Sequence, residues 1–400
     1  MYSETASRDD PTRASPVNNQ DETQLGIERL GRVVCAPDSF KETLSARAAA
    51  SAMAAGVARV DEAIVCDQCP VADGGEGSLD ALVTATKGTI HRAIVTGPLG
   101  QPIEARYGIA GDRRTGLVEL AEASGLGLVA TDRRDPTRTT TFGTGELIAA
   151  ARDRGCETIV LCIGGSGTVD GGVGIAQALG AKFFDPSGRC LDAPLSGGRL
   201  LEIASYEPPA SVPKINVACD VTNPLYGPQG AAVVYGPQKG ATAQQVRQLD
   251  VALRHLASLT TVDPNRPGTG AAGGAGFALA AFCGATLQRG IELILEAVQF
   301  RQRCQDADLV LTGEGCLDAQ SLHGKATIGV ARAAAQLGVP TIAIVGRTGP
   351  GADACVGPDR GGLLADVINL SDRYGLQRSM TQTATLLTEA TVQVIRSRLR

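Results

Sequence analysis

The chain has no tryptophan, three histidines and three methionines in 400 residues, and its aromatic rings amount to seven Phe and six Tyr. Scarce histidine argues against a zinc centre. Cys66 and Cys69 form a lone C-x-x-C with no second pair and few imidazoles to complete a tetrahedral set. Positive charge is also short. A net charge of −5 and an isoelectric point near 5.4 leave no broad basic field, which excludes nucleic acid as the main partner. Long apolar runs are missing too. The longest uncharged stretch, 268–288, is mostly Gly and Ala and reads as a buried loop and helix, not a membrane span.

Several catalytic signatures fail as well. No G-x-x-x-x-G-K-[ST] occurs, and the one G-x-G-x-x-G, at Gly268, Gly270 and Gly273, follows a proline-rich loop instead of a strand. A Walker-type NTPase and a dinucleotide fingerprint are therefore disfavoured. G-x-S-x-G is absent, which removes support for a serine hydrolase. The eleven cysteines are odd in number and lie mostly on strand-like runs, as at Cys35, Cys162 and Cys219, with no signal peptide ahead of them. A reducing cytoplasm is the setting this composition predicts.

What is present in excess is glycine, fifty of 400 residues. At about 150 residues per domain, the length suggests two or three domains. Residues 1–31 are polar and charge-rich and read as a disordered tail. Beyond them, β-branched runs at 32–37, 64–71, 90–96, 117–121, 158–163, 214–219, 308–312, 340–345 and 365–370 alternate with Ala-rich helical patterns. Such alternation predicts α/β layers with parallel sheets. The turn-rich stretch 96–102 and the glycine run near Gly268 are the candidate crossings between domains.

Nearly half of the glycine, 24 of 50, falls in six short segments. Several follow a predicted strand and open a predicted helix, a turn that presents unpaired backbone N–H groups at the carboxyl edge of a sheet. The sharpest is Gly164-Gly-Ser-Gly-Thr-Val-Asp-Gly-Gly-Val-Gly174 after the strand 158–163. There Gly164, Gly165 and Gly167 let an anion approach the backbone while Ser166 and Thr168 offer hydroxyls; tight strand-to-helix packing is the competing account for the later glycines.

Carboxylates and cations recur beside these turns. Asp73 and Glu76 flank Gly74-Gly75, Asp170 lies in the central turn, Asp220 ends the strand 214–219, and Glu314 and Asp318 follow the strand ending at Thr312. Carboxylates at strand ends are what Mg²⁺ with a nucleoside triphosphate needs. Any one alone could be a helix cap or Asx-turn, so the set carries the argument. Lys41, Lys239 and Lys325 stand in or next to the same loops, and a lysine at a helix start opposes the dipole unless an anion is near.

Taken together these segments resemble the glycerate kinase family, the bacterial type that phosphorylates D-glycerate with ATP. The stretches that carry the resemblance are APDSFK at 36–41, PVADGGEGS at 70–78, GPLG at 97–100, TTTFGTGELI at 139–148, IGGSGTVDGGVG at 163–174, CDVTNPLYGPQGA at 219–231, GPQKGA at 236–241, GAAGGAGFALAAF at 270–282 and TGEGCLDAQSLHGKATIGVA at 312–331. Two departures stand out: Glu42 where a glycine is usual after the lysine, and Cys316 where a basic residue is common. The resemblance implies two α/β domains with the active-site cleft between them. One is flavodoxin- or Rossmann-like and built from both chain ends (32–95 plus 288–400), and the other is inserted (96–287).

It also implies transfer of the γ-phosphoryl of Mg·ATP to a hydroxyl of glycerate, with 2-phospho-D-glycerate favoured over the 3-phosphate. Asp220 is expected as the base, with Lys41, Asp73 and Lys325 as further catalytic groups. Asp38, Ser39, Gly74, Gly75, the 164–168 turn, Asn223, Gly313, Gly315 and His323 are expected to hold substrate and phosphates. Asp170, Glu314 and Asp318 are expected at the metal. Glycerate and ATP would be the partners, without nucleic acid or membrane, and a homodimer is left open. The competing readings are a kinase of another small hydroxy acid on the same scaffold, a non-catalytic sugar-acid-binding regulator and, weakest, a dehydrogenase.

Overall fold

A computed structural model describes residues 30–41, 43–319, 321, 325–357 and 362–399. The expected tail, Glu42 and His323 therefore lie outside the described residues, apart from Leu30 and Gly31 of the tail. Two sheets organise the chain. The first contains β1 (Arg32–Cys35), β2 (Val65–Gln68), β11 (Leu309–Thr312), β13 (Thr341–Val345) and β15 (Asp366–Asn369) in the order β2-β1-β11-β13-β15, all parallel. Renumbered within this sheet the order is 2-1-3-4-5, the flavodoxin arrangement, whose switch point lies between β1 and β11. The central strands β11 and β13 are buried at every position, as expected of parallel strands covered on both faces.

The second sheet is mixed. It holds β3 (Thr89–Thr96), β4 (Pro102–Ile109), β5 (Thr115–Glu119), β6 (Thr158–Cys162), β9 (Lys214–Ala218) and β10 (Thr286–Gln288), ordered β10-β9-β6-β5-β4-β3. The β3-β4 and β4-β5 pairs are antiparallel; β5, β6, β9 and β10 run parallel. Two small pairs complete the set: β7 (Lys182–Phe184) with β8 (Ser205–Glu207), and β12 (Cys316–Leu317) with β14 (Arg347–Thr348).

Side-chain alternation sorts the cores. Val33 and Cys35 face one layer with the helices Ala46–Ala58 and Thr383–Arg398, where Met53, Leu386 and Ile395 are buried. Val34 and Val310 face the opposite way, into a cluster that also takes Leu117, Val160 and Ala218 from the second sheet. Leu79 and Leu82 from the helix Ser78–Ala85, Ile291 and Ile294 from Gly290–Ala297, and Val330 from Ala326–Ala335 fill it. A helical layer thus joins the two sheets through one apolar core.

Both expected crossings need correction. Residues 96–102 form a hairpin turn inside the second sheet, with Thr96 paired to Pro102 and the Gly97 N–H donating to the Gln101 carbonyl. The chain accordingly leaves the first sheet before Thr89, earlier than the expected division at 95/96. The glycine run near Gly268 packs within the second domain: a Cβ on Gly273 would lie 1.9 Å from the Thr168 carbonyl oxygen. That approach explains the glycines there without a ligand. Among the described residues no helix is long and apolar enough to cross a membrane.

Candidate active site

The glycine loops that follow β2 and β6 touch one another. The Gly164 N–H donates to the Gly74 carbonyl (3.1 Å), and a Cβ on Gly164 would stand 2.7 Å from Gly75 Cα. Only residues without side chains allow that crossing, so the two domains meet backbone to backbone. Gly74 and Gly165 also hold positive φ, 91° and 73°.

A cavity opens on either side of this crossing, and Asp73 lines both. The first, of about 400 Å³, sits at the carboxyl ends of β1 and β11, where Asp38, Lys41, Glu314, Lys325 and Arg347 line it. That is the switch point at which open α/β sheets bind ligands. The second, of about 390 Å³, lies at the carboxyl ends of β6 and β9 and is lined by Gly164, Gly165, Ser166, Asp220, Tyr235 and Lys239. An open groove past Lys41, Arg47, Glu76 and Gly165 borders the crossing.

Charges in the first cavity are crowded. Burial, then the neighbouring Asp73 and Glu314 carboxylates, push Asp38 up to about 7, against the Ser39 N–H and Lys41. Glu314 is buried, and its pKa is raised by that burial despite the Lys325 ammonium 3.3 Å from Oε2. Lys325 is drawn down by its own burial, but Glu314 and Asp318 more than offset this and leave it raised. Its Nζ also donates to the Cys316 carbonyl (3.2 Å). Glu314 Oε1 is buried and finds no hydrogen-bond partner among the described residues.

That orphaned oxygen bears on a divalent cation. No group of three or more His, Cys, Asp or Glu placed to hold a metal exists among the described residues. Mg²⁺ does not require one, because it binds through one or two carboxylates with phosphate oxygens and water. Asp73 and Glu314, hard oxygen donors on one cavity, fit it.

In the second cavity the strand–turn–helix sequence holds Ser166 from beneath. Lys239 is buried, and its Nζ donates to Ser166 Oγ (2.6 Å) and to the Thr168 carbonyl (2.7 Å). Burial pulls this ammonium down to about 7, against the attraction of Asp170. Asp220 keeps an exposed face and accepts the Gly290 N–H (2.8 Å), which caps the helix Gly290–Ala297. Burial, with Asp73 adding to it, lifts Asp220 to about 6 against that hydrogen bond.

The expected site residues divide accordingly. Asp38, Ser39, Lys41, Asp73, Glu314, Gly315 and Lys325 share the first cavity; Asp73, Gly74, Gly75, Gly164, Gly165, Ser166 and Asp220 share the second. Asp170 is corrected: it is fully buried, and its carboxylate is occupied by the Thr141 N–H and hydroxyl (both 2.7 Å) and the Gly172 N–H (3.0 Å). It ties the turn to the helix Phe142–Asp153 and has no face left for a metal. Thr168 is likewise enclosed, and the Gly167 N–H is spent on the Ser124 carbonyl. Asp318 pairs with Lys325 and Ser321 instead of lining either cavity. Asn223 accepts the Tyr235 hydroxyl (2.7 Å) and so positions a residue that lines the second cavity. Gly313 is a packing glycine, with Ile344 O 2.0 Å from where a Cβ would sit, and its carbonyl accepts the Asp38 N–H.

Sequence reasoning missed Arg347 and Tyr235 and left Lys239 without a site. Arg347 carried a usable signal, since it follows β13 at the same carboxyl edge as Glu314. Nothing local marks Tyr235.

Residues 33–399 match the sequence model described as the glycerate kinase family. A glycerate kinase of Bacillus subtilis is 49% identical over 325 residues, covering 79% of this chain and 85% of that protein. A glycerate 2-kinase of Escherichia coli is 46% identical over 325 residues, again covering 79% and 85%. Among solved structures, a Salmonella typhimurium protein described as a candidate glycerate kinase 2 superposes with a TM-score of 0.80 at 40% identity, covering 93% of this chain and all of that one.

Proposed function

The chain belongs to the glycerate kinase family, and from that premise we propose that it transfers the γ-phosphoryl group of ATP to a hydroxyl of D-glycerate, giving 2-phospho-D-glycerate. The observation that carries this reading is Asp73 shared by two cavities at the crossing of two glycine loops. One cavity serves the donor and the other the three-carbon acceptor, with the transferred group between them. Phosphoryl transfer asks for positioning and charge neutralisation more than for covalent chemistry. This arrangement supplies both.

Asp73 and Glu314 are the residues that would hold Mg²⁺, which neutralises phosphate charge when bound. Lys41 and Lys325 face the same cavity and counter anionic oxygens. Gly74 and Gly165, which line the second cavity, present backbone that phosphate oxygens can approach. Asp220 is the base: a carboxyl near 6 is ionised at neutral pH yet basic enough to accept the hydroxyl proton. Ser166 lines the same cavity as Asp220, and because its Oγ accepts from Lys239 Nζ its O–H is left to donate to a substrate oxygen. A cytoplasmic setting is proposed on the eleven cysteines, all of them free, with ATP and glycerate as the small-molecule partners.

The test is ADP release with Mg·ATP and a panel of small hydroxy acids. D-Glycerate should give the highest kcat/KM. Release that is independent of any acid, or faster with a different acid, would overturn the substrate assignment and favour another kinase on this scaffold.

A further inference from the structure

The short helix Leu376–Thr381, which follows β15 at the carboxyl edge of the first sheet, is amphipathic in reverse. Its buried residue is polar, Ser379, while its large apolar residues Leu376 and Met380 are 56% and 50% exposed. Helices in soluble proteins turn the apolar side inward, and positions i and i+4 share a face. Here that apolar face lines the first cavity, together with Phe40. Ser371 and Ser379 border the same cavity, but the Ser379 Oγ is already engaged within the chain, meeting Ser371 Oγ (2.9 Å) and donating to the Leu376 carbonyl (3.0 Å). An exposed Leu and Met on consecutive turns thus border a cavity with much of their apolar surface uncovered.

We propose that Leu376 and Met380 form the base-binding face of the donor site and take the purine ring of the nucleotide. The inference rests on the kinase reading given above. Lining chemistry, not size, separates the two substrates, since the two cavities are alike in volume, about 400 and 390 Å³. Glycerate has three carbons bearing a carboxylate and two hydroxyls, so no part of it would gain from an apolar wall. A nucleotide has both characters. Its phosphates match Lys41, Lys325 and Arg347 on the same cavity, and its ring covers apolar carbon. Flexible Leu and Met side chains adapt to a flat ring without an aromatic partner, which accounts for nucleotide binding in a chain with no tryptophan.

The experiment is calorimetric titration of the full chain with Mg·ADP and, separately, with inorganic tripolyphosphate, for wild type and for Leu376→Ser combined with Met380→Ser. Both side chains are exposed, so the fold should persist. The double variant should bind ADP about tenfold or more weakly, the loss expected when two apolar contacts to a ring are removed. Its tripolyphosphate affinity and its KM for glycerate should stay within about twofold, and Leu376→Met with Met380→Leu should restore ADP binding. ADP affinity unchanged in the serine variant, or an equal loss for tripolyphosphate, would overturn the proposal. Wild-type turnover of ATP and glycerate in the same preparation decides the kinase reading separately.

Discussion

Asp220 and Lys239 flank the second cavity, and each answers a different experiment. Replacing a general base costs about 10²- to 10⁴-fold in rate, so Asp220→Asn should lower kcat by that order while thermal unfolding stays near that of wild type; activity within threefold would remove Asp220 from the role. Lys239 is tested through pH. The unfolded chain keeps this proton up to 10.5, whereas the folded one releases it near 7. Between those values the unfolded state binds more protons, so the group's cost to stability is relieved as pH rises. Relative to wild type, Lys239→Met should therefore be most stable at or below pH 7 and lose that standing steadily toward pH 9.5 in urea titrations. A difference independent of pH would contradict a buried ammonium. Sequence displayed Asp73, Asp170 and Asp220 alike, each an acid at or beyond the end of an apolar, strand-like run. What separates them is non-local: Thr141, which gives Asp170 both its N–H and its hydroxyl, comes from a distant segment, and no short motif announces such a partner.

The glycine loops show the same division one level up. Their places after strands were legible because apolar runs and glycine clusters alternate along the chain, and the flavodoxin order followed once the strands were paired. Which glycines face ligand was not legible. Gly164 and Gly273 both belong to dense glycine clusters, yet one crosses Gly75 at the site and the other packs on the Thr168 carbonyl. The hairpin at 96–102 was mistaken for a crossing because a turn of Gly and Pro reads the same within a sheet as between domains. The helix bearing Leu376 and Met380 escaped notice because six residues are too few for a periodic pattern. Gly164→Ala should prise the two loops apart and reduce kcat/KM by about 100-fold or more, since small misplacements at a transfer site cost that much. Gly127→Ala, with nothing within 4 Å of the added carbon, should change activity less than twofold. Comparable losses in the two variants, measured by the same ADP-release assay, would rule out the loop crossing as the element that aligns the substrates.

The two domains share an apolar core that takes Val34 and Val310 from one sheet and Leu117, Val160 and Ala218 from the other. Domains linked through a buried cluster of this kind unfold together, so scanning calorimetry should show one cooperative transition, with Mg·ADP raising its midpoint by mass action. Two resolved transitions would show that the sheets are energetically separate. A net charge of −5 gives the whole molecule no long-range attraction for anionic substrates, which leaves that task to Lys41, Lys325 and Arg347 at the cavity. The central claim is that these cavities exchange one phosphoryl group between ATP and D-glycerate. Phosphorus NMR of a reaction containing the protein, Mg·ATP and D-glycerate tests it most directly. The account predicts ADP and an equal amount of a single new monoester at the position of authentic 2-phospho-D-glycerate; inorganic phosphate in place of an ester, or the 3-phosphate as the product, would contradict it.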